Sequence, residues 1–347
     1  MKHPPLAAWH VDTPHQAYAM GNLQLETGEQ IVDFSQSFVT HGTLNSDRSN
    51  AILVCASLSG THHRLDFLIG PGKALDTQKW FIIGTDAIGN GLSTSPSNSV
   101  AQPRMRFPHY ALRDMVTAQY RLLTEHLRIN HLHAVIGASM GGMQALQWAV
   151  RHPQFADAIV AMTPMAKTTP WSVLVTSTAR ACLMADPAWT GDGFDASPER
   201  GWRAYAGLMN ALVMRTPDAM EFLAGTVEAH RWFEGLVTQQ HAVGLDPHDY
   251  LYQSLAYERH DVGTTTGFGG DTDAALRSIK ARALLLAPPL DLLNPAPAAR
   301  EAAQCIPGAR FVEIPSLQGH AAAANAKPED SVFLDKVVGE FLRGKCC

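Results

Sequence analysis

Short apolar runs recur along the chain and alternate with segments that have helical periodicity. The runs predict six β-strands, at 51–56, 80–84, 133–137, 158–162, 283–287 and 310–314. Most are apolar throughout rather than alternating, which is typical of strands covered by helices on both faces of a parallel sheet. Helical periodicity covers 113–127, 140–151 and 332–342. This alternation predicts right-handed βαβ units and an open, mostly parallel sheet in an α/β protein.

The segment 165–273 interrupts the alternation. It is rich in Ala, Met, Trp and other helix formers and contains no clear strand. We therefore predict a helical insertion that lies over the sheet, followed by a flexible return linker at 263–270. The predicted division is a first core part at 1–164, a helical lid at 165–275 and a second core part at 276–347.

Composition limits the classes of partner. The chain has 347 residues, 46% hydrophobic and 17% charged, with a net charge of −5, which is typical of a globular protein. No basic stripe is present, so we expect neither nucleic acid nor an acidic membrane surface as a partner. No apolar run approaches the ~20 residues of a membrane span. The first nine residues show no signal-peptide pattern, which favours the cytoplasm.

The five cysteines do not form a disulfide pattern. Their number is odd and their spacing irregular, which favours a reducing compartment. The Cys346–Cys347 pair does not have the cysteine fourth from the end that prenylation requires. We expect that tail to be chemically idle.

The sharpest local motif is Gly137-Ala138-Ser139-Met140-Gly141, a G-x-S-x-G pattern between a predicted strand and a predicted helix. The glycines allow a sharp strand-to-helix turn that exposes the serine hydroxyl, and the helix N-terminus behind it favours a developing negative charge. Alone, the pattern is also compatible with a helix entry built of small residues. In this context it predicts that Ser139 is a nucleophile.

A serine nucleophile needs a base, and a carboxylate to orient that base. In an α/β-hydrolase fold these partners follow the serine in the order acid, then histidine. Asp291 follows the predicted strand 283–287, and His320 follows the strand 310–314, so both lie at the same sheet edge as Ser139. The competing residues belong to the linker or the insertion: Asp271, Asp273, His241 and His248.

An oxyanion hole requires two backbone N–H groups. We expect one from Met140, the residue after the nucleophile, and the other from Leu58, in the loop after the first predicted strand. Metal binding is not expected, because neither His62–His63 nor His131-x-His133 has the i, i+4 spacing of a zinc helix. We interpret these histidines as solvated surface residues. No nucleotide-binding motif follows a strand, so no cofactor is predicted.

The chain resembles the homoserine O-acyltransferases, and the resemblance covers most of its length. Five segments carry it: THGTLN at 40–45, IGPGKALDT at 69–77, RDMV at 113–116, SMGGMQALQWA at 139–149 and PERG at 198–201. The resemblance implies an α/β-hydrolase fold with a helical lid, a homodimer formed through that lid, and a triad at Ser139, Asp291 and His320.

The amino-acid pocket of that family does not carry over. The family's aspartate after the catalytic histidine, which receives the homoserine amine, is Ala321 here. Its arginine and tyrosine on a lid helix align with Gly207 and Met214, and the histidine of its oxyanion loop with Ala56. Losing one charge-assisted contact costs about 2–5 kcal/mol, so homoserine is not expected as the acceptor.

Three hypotheses follow. The first is a carboxylic ester hydrolase for small or apolar acyl groups, with an acyl-enzyme on Ser139 and water as the acceptor. The second is an O-acyltransferase that moves an acetyl or succinyl group from CoA to an acceptor other than homoserine. The third is a non-catalytic protein that binds a small ligand on a hydrolase scaffold.

Overall fold

One eight-stranded sheet organises the chain in the computed structural model, which describes residues 5–344. The strands are β1 Gln16–Gln24, β2 Gln30–His41, β3 Ala51–Cys55, β4 Phe81–Thr85, β5 Leu132–Ala138, β6 Ala156–Met162, β7 Arg282–Ala287 and β8 Arg310–Glu313. Their order is β1-β2-β4-β3-β5-β6-β7-β8, in which the pairs β1–β2 and β2–β4 are antiparallel and every pair from β4 onward is parallel. The predicted α/β class and mostly parallel sheet are confirmed.

The continuous apolar strands are buried on both faces. In β3, Ile52 and Val54 pack into one core cluster, whereas Leu53 and Cys55 pack into the other. Because successive side chains point to opposite faces, a strand between two helix layers needs an apolar residue at every position. This requirement produces the apolar run that predicted β3.

The antiparallel strands β1 and β2 were not predicted. In β1 only Met20 and Leu23 are buried, and the other positions face solvent at least in part. A search for apolar runs does not detect such an edge strand, because a strand with one wet face needs few apolar residues. The predicted strands differ from β3 to β8 by at most two residues at either end.

Nine α-helices surround the sheet within residues 5–344. They are α1 Leu112–Arg121, α2 Met140–Arg151, α3 Pro170–Met184, α4 Glu199–Tyr205, α5 Thr226–Val243, α6 Pro247–Glu258, α7 Thr272–Arg277, α8 Ala296–Cys305 and α9 Pro328–Leu342. A π-helical turn, Leu122–His126, continues α1 over the rest of the predicted helix 113–127. The alanine-rich α8 was not predicted.

Five of these helices, α3 to α7, lie between β6 and β7 in the chain, where the sequence predicted a helical insertion. The predicted flexible linker is wrong at its start. There the Gly263 N–H donates to the Asp261 carboxylate (2.7 Å), and the Gln147 amide donates to the Thr265 hydroxyl (2.9 Å). The first bond fixes the local turn, and the second holds the returning chain against α2.

Two further sequence predictions concern membrane spans and the C-terminal cysteines. No helix within the described part of the chain is long and apolar enough to cross a membrane. The predicted idle tail at Cys346–Cys347 lies outside the described residues.

Candidate active site

Ser139 occupies the sharp turn between β5 and α2. Its backbone has φ 58° and ψ −125°, a left-handed conformation that is costly for a residue with a side chain. Its N–H donates to the Met162 carbonyl (2.9 Å) and to the Thr163 hydroxyl (3.2 Å), so the next strand holds the turn. Such strain persists only where the surroundings enforce it, and it is typical of a nucleophile elbow.

The glycines of the motif are needed because backbones approach closely at this turn. A Cβ on Gly137 would lie 2.2 Å from the Gly141 backbone, and one on Gly141 would lie 2.4 Å from the Cys55 carbonyl oxygen. Either contact is far inside van der Waals distance, so the first turn of α2 can lie against β3 and β5 only without these side chains. The sequence motif is therefore a packing requirement as well as a chemical signature.

His320 and Asp291 form a buried pair. His320 Nδ1 lies 2.8 Å from Asp291 Oδ2, and both side chains are almost fully buried. His320 comes from the short 3₁₀ turn Gly319–Ala323, and Asp291 from the loop after β7. The structure therefore joins two residues that the sequence placed at the ends of two neighbouring strands.

The other oxygen of Asp291 is fixed by the backbone. Oδ1 accepts the N–H groups of Leu293 and Asn294, each at 2.8 Å. The Asn294 amide donates to the Thr163 carbonyl (2.6 Å), and the Tyr257 hydroxyl donates to the Asn294 side-chain oxygen. This network ties the acid loop to β6 and to the insertion, which restricts the carboxylate to one orientation.

The buried network also shifts the pKa of the Tyr257 phenol. Burial, followed by the charge of Asp291, raises the pKa of the Tyr257 phenol well above its usual value of 10. The phenol therefore remains a hydrogen-bond donor at neutral pH. Sequence reasoning missed Tyr257, which no local pattern marks. It also missed Asn294, although an Asp followed three residues later by Asn before Pro is a turn signal.

The loop after β3 is fixed in place beside the elbow. The Ser57 hydroxyl donates to the Ala138 carbonyl (2.7 Å), the Gln144 amide to the Ala56 carbonyl (2.9 Å), and the Ser59 N–H to Gln253 Oε1 (2.8 Å). Leu58, a predicted oxyanion donor, lies between these anchors and lines the cavity described next. The other predicted donor, Met140, begins α2, where the helix dipole favours negative charge.

Ser139 and His320 line one cavity of about 310 Å³. The insertion, called the lid below, contributes much of the wall through the π-helical turn Ala206–Val213 and helix α5. The lid residues that line the cavity are Tyr205, Met209, Asn210, Met214, Gln239, Gln240, Val243 and Leu245. The structure thus brings Ser139, His320 and, through its bond to His320, Asp291 into one site.

The three predicted pocket residues differ in placement. Met214 lines the cavity, as the alignment suggested. Ala321 does not line it: the residue is buried and its N–H donates to the Met214 carbonyl (2.9 Å). Gly207 faces another lid helix, since a Cβ there would meet the Phe233 ring at 3.3 Å. Neither Ala321 nor Gly207 therefore lines the cavity.

The competing acids and bases have other partners. His241 pairs with Glu199 (3.1 Å), and His248 pairs with Asp246 (3.0 Å). Asp271 caps α7 by accepting the Ala274 N–H, and Asp273 is an exposed residue of the same helix. None of the four competitors lines the cavity that contains Ser139.

The histidine pair at 62–63 corrects the sequence interpretation. Both residues are buried, not solvated, and each pairs with a carboxylate: His62 with Asp86 (3.0 Å) and His63 with Asp66 (2.6 Å). Spacing could not show this for Asp86, which comes from a different element. By contrast, His131 is exposed as expected.

One group in this region could hold a metal ion. His15, His62 and Asp86 offer ligand atoms that lie within 4.8 Å of one another. Asp86 already accepts hydrogen bonds from Ser37 (2.8 Å) and Asn90 (3.1 Å) as well as from His62. A hydrogen-bond network therefore accounts for the arrangement of these side chains.

Comparison with known proteins gives consistent relatives. A family model described as alpha/beta hydrolase fold matches residues 50–203. The chain is 33% identical to a probable esterase of Corynebacterium glutamicum over 96% of this chain and 97% of that protein. It is 31% identical to a homoserine O-acetyltransferase of Methanosalsum zhilinae over 92% of this chain and 70% of that protein. The solved structure of an acetylester hydrolase from Corynebacterium glutamicum superposes with a TM-score of 0.89 at 32% identity, covering 95% and 96% of the two chains.

Proposed function

We propose an activity for this chain from the premise that it belongs to the α/β-hydrolase fold family, in the group that contains homoserine O-acetyltransferases and related esterases. The proposed activity is the hydrolysis of carboxylic esters with a small or apolar acyl group. The reaction passes through an acyl-enzyme on Ser139, and water is the acceptor. The observation that carries the proposal is the buried His320–Asp291 pair beside the strained Ser139 in one cavity.

The geometry supports a division of roles. His320 Nδ1–H donates to Asp291, which leaves Nε2 to take the Ser139 hydroxyl proton as the oxygen attacks the ester carbonyl. The Leu58 and Met140 N–H groups stabilise the oxyanion. His320 then protonates the leaving alcohol, and in the second half-reaction it activates the water that releases the acid.

The cavity supports water rather than an amino acid as the acceptor. No carboxylate lines it among the described residues, so an incoming ammonium group would find no counter-charge. Two of the relatives reported above are a probable esterase and an acetylester hydrolase. These observations favour hydrolysis over transfer to homoserine.

The test is an acylation burst with p-nitrophenyl acetate. Wild-type protein should release about one equivalent of p-nitrophenol rapidly and then turn over more slowly. Ser139→Ala should abolish both phases. In the wild-type protein, mass spectrometry should locate the trapped acetyl group on Ser139. Ser278→Ala, a serine outside the cavity, is the matched control and should behave as wild type. An unchanged burst in Ser139→Ala would reject the assignment.

A second candidate function is transfer of an acyl group from acyl-CoA to an acceptor other than homoserine. The resemblance to a homoserine O-acetyltransferase favours it. Release of free CoA that depends on an added alcohol would support transfer, since hydrolysis needs no acceptor. Release of CoA or alcohol at the same rate without an acceptor would support hydrolysis.

The proposal extends to assembly and location. Large apolar side chains are exposed on the lid, among them Trp171, Leu174, Leu212 and Phe222, each at least half exposed. A homodimer through the lid would bury them, and light scattering on a sizing column measures its mass. A cytoplasmic location is supported by the free thiols of the three described cysteines.

A further inference from the structure

One charged side chain that lines the active-site cavity has no hydrogen-bond or ion-pair partner among residues 5–344. Arg64 follows the loop after β3 and lines the same cavity as Ser139 and His320. Its Nε is enclosed and makes no hydrogen bond, and within residues 5–344 no charged group acts on its guanidinium. Burial alone lowers the Arg64 pKa, to about 10, so the side chain is still a cation at neutral pH.

Three arginines of the lid, by contrast, have partners. Arg180 forms an ion pair with Glu258 (2.6 Å), and Arg203 pairs with Glu234. Arg215 donates to the Asn210 carbonyl and lies over the Trp232 ring. Among the arginines of residues 5–344, Arg64 is the one whose enclosed Nε makes no hydrogen bond. Arg64 as a whole is half-buried, and a partly shielded guanidinium without a counter-charge suits a counter-ion supplied by a bound ligand.

The surroundings of Arg64 suit an anion. No Asp or Glu lines the cavity among the described residues, whereas the amides of Asn210, Gln239 and Gln240 do line it. A second cavity of about 410 Å³ shares Arg64 and Gln239 with the first, and it also contains no described carboxylate. Arg64 therefore lines both cavities, so a ligand that extends from Ser139 through the first cavity can contact it.

We infer that Arg64 binds a carboxylate of the substrate, so that the ester cleaved at Ser139 carries a negative charge at its other end. This inference rests on the proposed ester hydrolysis and names its substrate class. A planar guanidinium matches a carboxylate through two parallel hydrogen bonds, which fixes orientation as well as charge. The carboxylate belongs either to the alcohol part or to the acyl part of the ester.

Two substrate pairs distinguish these sources, each pairing a carboxylate with a neutral methyl ketone of the same shape. The alcohol-side pair is 3-acetoxypropanoate and 4-acetoxy-2-butanone, and the acyl-side pair is monoethyl succinate and ethyl levulinate. A pH-stat measures kcat and KM for each. Wild-type protein should prefer the anion in one pair, and the preferred pair identifies the source. Equal kcat/KM within both pairs would overturn the inference without any variant.

Variants then assign the preference to Arg64. In Arg64→Met the ratio of anionic to neutral kcat/KM should fall about 30-fold, the effect of losing one charge-assisted contact of ~2 kcal/mol, and it should fall mainly through KM. Arg64→Lys keeps the charge but not the paired geometry, so it should restore part of the ratio. Arg277→Met removes an exposed arginine of α7 and should leave the ratio at the wild-type value. A ratio unchanged in Arg64→Met would also overturn the inference.

A binding measurement separates this inference from the proposed function. In Ser139→Ala protein, 3-acetoxypropanoate and succinate should raise the melting temperature, and Arg64→Met added to that background should abolish the rise. If neutral esters acylate Ser139 but neither anion binds, the inference fails and the proposed function stands. If the anions bind through Arg64 but no ester acylates Ser139, the proposed function fails and the anion site stands.

Discussion

Asp291→Asn should leave the fold intact and still disable the base. In the structure the two oxygens of Asp291 have different tasks: Oδ1 accepts the Leu293 and Asn294 N–H groups, and Oδ2 accepts His320 Nδ1–H. An asparagine has only one oxygen. Two backbone donors at 2.8 Å require that oxygen at the Oδ1 position, so the NH₂ group must face His320.

The consequence for His320 is a change of tautomer. Facing an NH₂ donor, Nδ1 must act as an acceptor, which moves the ring proton to Nε2. A protonated Nε2 cannot accept the Ser139 hydroxyl proton. The same change in a serine protease, whose triad aspartate is also buried, lowers kcat about 10⁴-fold. Because His320 and Asp291 are buried as well, we expect a loss of similar size here.

The assay is steady-state hydrolysis of p-nitrophenyl acetate, with unfolding in urea to confirm the fold. Asp66→Asn is the matched control, because Asp66 pairs with His63 in an equally buried contact outside the proposed triad. We expect Asp66→Asn to retain activity within about tenfold. If Asp291→Asn also retained activity within tenfold, the assignment of Asp291 as the residue that orients His320 would be wrong.

Three other changes test the packing and the buried polar groups. Gly141→Ala should lower the free energy of unfolding by about 1–3 kcal/mol or more and reduce ester hydrolysis. Gly235→Ala, in an open position on α5, should stabilise by about 0.5–1 kcal/mol; equal effects in urea would contradict the close approach at the elbow. Tyr257→Phe leaves the Asn294 oxygen without its donor and should cost about 1–3 kcal/mol in the same measurement, and an unchanged midpoint would argue against that bond. Burial lowers the pKa of His260 to about 4 from 6.5, so the unfolded chain binds a proton that the folded chain does not. Stability should therefore fall, by up to about 3 kcal/mol, as pH drops from 6.5 to 4, and His260→Gln should reduce that loss when unfolding is measured at both pH values.

The central strands could be predicted because burial on both faces leaves a local signature. The six predicted runs correspond to β3 to β8. The residues predicted as nucleophile, acid and base each follow one of these strands. Strand β1 left no such signature, since its exposed face tolerates polar residues such as Gln16 and Asn22.

Contacts between distant segments could not be predicted. Nothing local to His62 shows that Asp86 will lie beside it, and nothing in the lid sequence marks Tyr257 as the partner of Asn294. Arg64 has an ordinary sequence context, and only its place in the cavity wall and its enclosed Nε without a hydrogen bond draw attention to it. Periodicity reports which face of an element is buried, and it does not report which elements meet.

The lid inserted between β6 and β7 also sets an order of events during synthesis. Ser139 leaves the ribosome about 180 residues before His320, which corresponds to roughly 10 to 35 s at common elongation rates. During that interval the nascent chain carries the proposed nucleophile without its proposed base, so we expect esters not to acylate it. Reactivity of Ser139 toward a fluorophosphonate would therefore report that translation has reached the last strand and that β8 has joined the sheet.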